Sequence, residues 1–171
     1  MYFRPILLNS CARAATATEA AYRIDRPIAP SRGVRVLALD DRAGPIVRRV
    51  GEQPWTRARF LARVPGQEAT AGNGDGPDLP LQSLDGSASR LTAELNGADV
   101  VMMVATDDDG AVAAGVIGEA CALRGIMTAG IVVAQGNETG ACVAALRPYA
   151  RVLMITEDET DVAEVLTALR A

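Results

Sequence analysis

Carboxylates are the main candidates for chemistry in this chain, because the residues most often used for it are missing. The 171 residues include no His, and all seventeen basic residues are Arg. A His base or metal ligand, a Schiff-base Lys and a phosphate-loop Lys are therefore excluded within the chain. Acid–base chemistry would have to come from Asp, Glu, Cys or Tyr, or from a partner chain.

Three consecutive carboxylates, Asp107–Asp109, form the most prominent polar turn of the sequence, and Gly110 follows them. This turn has three interpretations. As a helix start, one Asp caps the helix and the others favour its positive end. As a cation site, the carboxylates hold Mg²⁺ or Ca²⁺ together with Asp40 or Asp41. As a phosphate loop the turn is poor, since three carboxylates repel an anion unless a metal bridges them.

Ser10 and Cys11 follow the first apolar run, where a strand–helix turn could expose a nucleophile. The usual flanking glycines are missing and no His exists to activate either group, so a capping Ser beside a buried Cys is favoured. Cys121 and Cys142 lie in Ala-rich helical patterns, which predict small buried apolar residues. Three cysteines without a CxxC pair indicate a reduced, cytoplasmic protein.

The elements that must position these residues alternate along the chain. The predicted strands are Phe3–Leu8, Val34–Leu39, Leu79–Leu84, Val100–Ala105, Met127–Ala134 and Val152–Thr156. The predicted helices cover 11–22, Arg42–Gly51, Trp55–Val64, Ser87–Asn96, Gly110–Arg124, Glu138–Tyr149 and Thr160–Leu169. Because strands and helices alternate with short connections, the sequence predicts right-handed crossovers and a parallel sheet.

We therefore expect one Rossmann-like α/β domain over residues 1–171. Its sheet should be doubly wound and mostly parallel, with helices on both faces. Residues 65–78 are dense in Gly, Pro and Asp without periodicity, and they predict a flexible loop.

In such a sheet, a small-molecule ligand binds beyond the carboxyl ends of the strands, near a reversal of strand order. The loops at that edge supply the candidate ligand-binding residues, which are Asn9, Ser10, Asp40, Asp41, Thr106, Asp107, Asp108, Asp109 and Gly110. The sequence identifies no catalytic residue, metal ligand or cofactor among them, and it leaves enzymatic activity open.

The basic and acidic residues are unevenly distributed along the chain. Residues 1–70 carry twelve Arg and six acids, whereas residues 71–171 carry five Arg and fifteen acids. The basic and acidic segments can pair with each other within the chain, with a second copy in a homo-oligomer, or with a protein partner. The net charge of −4, the scarce aromatics and the lack of a dense basic cluster argue against nucleic-acid binding. No apolar run is long enough to span a bilayer, so we expect no membrane partner.

The segment 97–133 resembles the bacterial tubulin homologue FtsZ and its relatives. In that family a GAD-type strand start and an apolar run lead to a glycine-rich phosphate loop, an AAxVIxE helix and a GIxTxGxV strand. The residues that fit this pattern are Gly97, Ala98, Asp99, Ala113, Ala114, Val116, Ile117, Glu119, Gly125, Ile126, Thr128, Gly130 and Val132. Val36–Asp41 and Leu146–Thr156 are placed like further strands and a helix of the family. The resemblance implies the family's nucleotide-binding scaffold.

The departures from the family lie where its function would be. Its Gly- and Thr-rich signature loop is represented by Thr106–Val112, TDDDGAV, and its first glycine cluster by Asn9–Ala14, NSCARA. The second domain that completes GTP hydrolysis between subunits does not fit in the residues available. We therefore expect a degenerate domain that has lost GTPase chemistry and acts in binding, regulation or assembly. The alternative is a small metal-dependent enzyme that uses the Asp turns on a phosphorylated or acidic metabolite.

Overall fold

A seven-stranded sheet forms the centre of the part of the protein that the computed structural model describes, which is residues 33–67, 69–70, 76–169 and 171. The predictions for Phe3–Leu8, 11–22, Asn9, Ser10 and Cys11 lie outside these residues. The strands are β1 (Val34–Ala38), β2 (Ala58–Arg63), β3 (Pro80–Ser83), β4 (Ala88–Arg90), β5 (Val100–Ala105), β6 (Met127–Val133) and β7 (Val152–Thr156). Their order across the sheet is β4-β3-β2-β1-β5-β6-β7.

Five of these strands are parallel, and they build the doubly wound core of the sheet. β1 pairs in parallel with β2 on one side and with β5 on the other, and β5, β6 and β7 continue in parallel. Counted in chain order these five strands lie 2-1-3-4-5, the flavodoxin-type order, which reverses direction between β1 and β5. β3 and β4 extend the β2 side as an antiparallel hairpin. The predicted mostly parallel, Rossmann-like sheet is therefore confirmed.

Helices cover both faces of this sheet, as predicted. They are α1 (Ala43–Gly51), α2 (Leu91–Leu95), α3 (Ala111–Arg124), α4 (Gly140–Leu146) and α5 (Thr160–Leu169), with a 3₁₀ turn at Asp108–Gly110 before α3. α2, α3 and α4 contribute to one apolar core, and α1 and α5 contribute to the other. All six residues of β5 are buried, because alternate side chains enter the two cores.

The predicted helix over Trp55–Val64 is wrong, since β2 occupies Ala58–Arg63. Phe60 and Leu61 are buried where β2 pairs with β1, and this pairing outweighs the local helical spacing. The predicted helix over Ser87–Asn96 is correct only for Leu91–Leu95, because Ala88–Arg90 pairs with β3 as the second strand of the hairpin.

The other described elements were predicted to within a few residues. β7 and α5 have the predicted bounds, while α4 is shorter than the predicted Glu138–Tyr149. The predicted flexible loop over 65–78 and the single domain over 1–171 stay predictions. At the base of that loop, the backbones of Thr70 and Asp78 form a two-bond antiparallel bridge.

A close approach fixes the packing of α3 against the segment after α4. A Cβ atom added to Gly118 would overlap with the ring of Tyr149, whereas one added to Gly115 would meet no atom within 4 Å. Only a residue without a side chain therefore fits at Gly118 with the present helix position.

Ion pairs join the basic and the acidic parts of the chain. Arg35 on β1 and Arg59 on β2 both bind the buried carboxylate of Glu94, at 3.3 and 3.2 Å, and Ser89 donates to the same carboxylate. Arg49 binds Glu159 at 2.9 Å. Part of the uneven charge distribution therefore serves pairing within the chain.

Candidate functional site

The loops after β1 and β5 meet at the carboxyl edge of the sheet, at the point where the strand order reverses. Asp40 follows β1 and is buried, with 4% of its surface exposed. Its carboxylate accepts hydrogen bonds from the N–H of Ala43 at 2.7 Å, the N–H of Thr106 at 2.7 Å and the hydroxyl of Thr106 at 2.8 Å. Asp40 thus holds the start of α1 and the end of β5 together.

Gly110 brings the second loop still closer to β1. A Cβ atom on Gly110 would lie 2.8 Å from the Cβ atom of Leu39, so the backbone at the start of α3 packs directly on the end of β1. A ligand at a switch point needs the two loops to separate. Here backbone and carboxylate contacts occupy that space.

Two of the three consecutive carboxylates cap helical turns. Asp107 accepts from the N–H of Asp109 at 3.0 Å and caps the 3₁₀ turn. Asp108 accepts from the N–H of Cys142 at 2.9 Å, in the first turn of α4. Asp109 is exposed, and within the described residues its carboxylate accepts no hydrogen bond. The helix-start interpretation accounts for Asp107, and Asp108 caps a different helix from the one expected.

The electrostatics of this edge disfavour a bound anion. Burial raises the pKa of Asp107, and the neighbouring carboxylates of Asp40 and Asp109 raise it further, against the opposing effects of the hydrogen bond from the N–H of Asp109 and of the charge on Arg42. The guanidinium of Arg42 donates to the side chain of Asn137, which in turn donates to the carbonyl of Thr106. Arg42 is therefore already engaged in holding the loops of β1, β5 and β6.

The two Asp turns meet in space, as the metal hypothesis requires, but they do not converge on a cation. Asp40 directs both oxygens at N–H and O–H donors, and Asp108 directs one at an N–H group. Asp41 is exposed and points no oxygen at a donor in the described part of the chain. Within the described residues, no group of three or more His, Cys, Asp or Glu side chains is placed to hold a metal ion.

Cys121 and Cys142 are fully buried, as predicted. Burial raises the pKa of both thiols to about 12, and the carboxylates of Asp40, Asp108 and Asp107 add to the effect at Cys142. A thiol becomes a nucleophile only as its thiolate. Neither cysteine is therefore activated for covalent chemistry.

A cleft lies beside the edge, between the end of β2 and the first turns of α3. Its volume is about 400 Å³, and Arg63, Asp109 and Val112 are among the residues that line it. Arg63 is not among the residues predicted for the site, because Trp55–Val64 was predicted to be a helix. The segment ARFLAR has no clear alternation of apolar and polar residues, so its own pattern gave little signal that Arg63 ends a strand at the carboxyl edge.

Comparisons with protein-family models, with curated proteins and with solved structures find no match for this chain. In the part of the chain that the structure describes, no helix has the length and apolar character needed to cross a membrane.

Proposed function

We propose that this protein is a Rossmann-like domain without GTPase chemistry, and that it acts as a binding, regulatory or assembly component. The observation that carries the proposal is the contact between Asp40 and Thr106, because it closes the switch point where such sheets bind nucleotides.

The geometry supports the proposal through hydrogen-bond donors that are already used. A phosphate-binding loop presents free backbone N–H groups at a helix start. Here the N–H of Thr106 donates to Asp40, the N–H of Asp109 donates to Asp107, and the N–H of Ala43 at the start of α1 donates to Asp40. A phosphate would have to displace carboxylates that already neutralise these donors.

The resemblance of 97–133 to FtsZ supports the same proposal from the sequence. This segment folds as β5, the 3₁₀ turn, α3 and β6, with Val100 beside Met127 in the parallel register. The strand–helix–strand scaffold is therefore formed, while the turn that would carry the phosphates holds three carboxylates. A scaffold of this kind without its phosphate loop fits a binding or assembly role better than a hydrolytic one.

The metal-dependent alternative has less support, because Asp40 and Asp108 use their oxygens for capping and cross-linking. It makes a separate prediction, which is binding that depends on added Mg²⁺.

Isothermal titration against GTP, GDP, ATP and NAD, each with and without Mg²⁺, tests the proposal. We expect no heat of binding in any combination. Micromolar affinity for GTP without metal would overturn the proposal, and nucleotide binding only with Mg²⁺ would overturn it in favour of the alternative. The variant Asp107→Asn/Asp109→Asn is the matched control, since it removes two charges but leaves the Asp40–Thr106 contact intact. This variant should also fail to bind nucleotides if the Asp40–Thr106 contact, rather than the negative charge of the turn, prevents binding.

Assembly is tested by sedimentation of the full chain at low and high salt. A dimer that dissociates at high salt would support an assembly role through the unevenly distributed charges. A monomer at both salt concentrations would leave binding of other partners as the proposed role.

A further inference from the structure

Arg63, the last residue of β2, lines the cleft between β2 and α3. The Nε atom of Arg63 is buried and donates no hydrogen bond, and within the described residues the guanidinium forms no ion pair. A buried donor that has lost water without gaining an acceptor carries a free-energy cost. A ligand in the cleft does not reach this buried nitrogen itself, but an oxyanion there can bind the rest of the guanidinium, since guanidinium groups bind carboxylates and phosphates by charge-assisted hydrogen bonds.

The wall opposite is apolar and accessible. Val112 in the first turn of α3 is 77% exposed. Val116, one turn further along the same helix face, and Leu79 line the same cleft. A ligand could therefore bury an aliphatic group against α3 while its charged group faces Arg63.

The third feature is the carboxylate of Asp109, which lines this cleft and accepts no hydrogen bond from the described part of the chain. Asp109 and Gln67 line the cleft together with Arg63, so one positive and one negative group are both available to the same ligand. A phosphate dianion would be repelled by Asp109. A singly charged carboxylate with a neighbouring amino or hydroxyl donor would satisfy both groups.

We propose that this cleft binds a small aliphatic α-amino or α-hydroxy acid. Its carboxylate is held by Arg63, its α-amino or α-hydroxyl group donates to Asp109, and its aliphatic side chain packs on Val112 and Val116. The cleft volume of about 400 Å³ is within the range of small-molecule sites.

This site is independent of the function proposed above. The closed switch point lies between β1 and β5, whereas the cleft lies between β2 and α3. Nucleotide binding would overturn the proposed function but would not bear on this cleft. A cleft that binds none of the probes would overturn this inference but would not bear on the closed switch point.

Ligand-observed NMR on the full chain tests the site with five probes. Leucine and 2-hydroxy-4-methylpentanoate carry both polar groups, 4-methylpentanoate lacks the α-donor, leucine amide lacks the carboxylate, and inorganic phosphate lacks the aliphatic group. We expect the first two to bind most tightly, with roughly tenfold weaker binding of the other three. The proposal would be overturned if inorganic phosphate bound as tightly as the two complete probes, or if neither complete probe bound.

Variants assign the contacts. Arg63→Met should weaken binding of both complete probes by roughly tenfold or more, while Arg48→Met, which changes an exposed Arg on α1, should leave it unchanged. Asp109→Asn should weaken the two complete probes towards the level of 4-methylpentanoate. Urea unfolding of Arg63→Met distinguishes a loss of binding from a loss of fold. We expect no loss of stability, since the substitution removes a buried nitrogen that has no partner within the described residues. Unchanged binding in Arg63→Met would contradict the assignment.

Discussion

The carboxylate of Asp40 binds the backbone N–H and the hydroxyl of Thr106 at once, with donor–acceptor distances of 2.7 and 2.8 Å. The two residues are 66 positions apart in sequence and lie at the ends of the two neighbouring strands β1 and β5. The point of strand reversal, which in related folds separates to admit a ligand, is cross-linked here by a side chain.

Asp40→Asn should destabilise the protein, because the amide places a donor where Asp40 now accepts from donors. We expect a loss of about 1–3 kcal/mol in the free energy of unfolding, the usual cost of unsatisfied buried polar groups. Urea unfolding measures the change. Asp41→Asn is the matched control, since Asp41 is exposed, and it should change stability by less than about 0.5 kcal/mol. Equal effects of the two substitutions would contradict the cross-linking role of Asp40.

Two glycines in α3 should respond to alanine in opposite directions. Gly115→Ala meets no atom within 4 Å and should stabilise the helix by about 0.5–1 kcal/mol, because alanine loses less backbone entropy. Gly118→Ala forces a methyl group into the ring of Tyr149 and should destabilise the protein by about 1–3 kcal/mol. Thermal unfolding of both variants tests the packing, and stabilisation by both would show that α3 is not held against Tyr149.

Asp78 should contribute to stability in a pH-dependent way. Burial alone would raise the pKa of Asp78, but hydrogen bonds from the N–H of Thr92 and from Arg90 outweigh burial, and the pKa lies below its usual 3.8. A lowered folded-state pKa stabilises the protein above about pH 4, and this contribution is lost as the pH falls from 3.8 through the folded-state value.

The variant Asp78→Asn tests this expectation. It should be less stable than the parent chain at neutral pH, and the gap in urea midpoint should narrow as the pH falls below 4. Asp41→Asn serves as the charge control at each pH. A gap that stays constant down to pH 2 would show that ionisation of Asp78 does not stabilise the fold.

Cys121 and Cys142 should resist alkylation in the folded protein. Their pKa values of about 12 leave almost no thiolate at pH 8, and both side chains are fully buried. Iodoacetamide treatment followed by peptide mapping should find both unmodified in buffer and both modified in concentrated urea. Rapid modification of Cys142 in buffer would mean that the first turn of α4 opens away from Asp108.

The fold could be predicted from the sequence where local pattern and tertiary context agree. Val100–Ala105 is a continuous apolar run that suits a strand buried on both faces, and its bounds were predicted correctly. Ala58–Arg63 was not predicted, because its identity as a strand depends on pairing with β1 rather than on its own spacing. The geometry of the candidate site was harder to predict than the fold. A parallel sheet predicts that Asp40 and Thr106 lie at the same edge, but that they are close depends on the strand order. The direction of the carboxylate, towards protein donors rather than a ligand, depends on atomic packing.

The sequence separation of β1 and β5 has a consequence for synthesis on the ribosome. Among the described strands the central one, β1, emerges first, but its second neighbour is completed only 66 residues later, which at usual elongation speeds takes roughly 3–13 seconds. During that interval one side of β1 has no strand to pair with, and its apolar residues are exposed to the surrounding cell. Nascent chains stalled before Val100 should therefore be captured by chaperones, and chains stalled well after Val133 should be released from them.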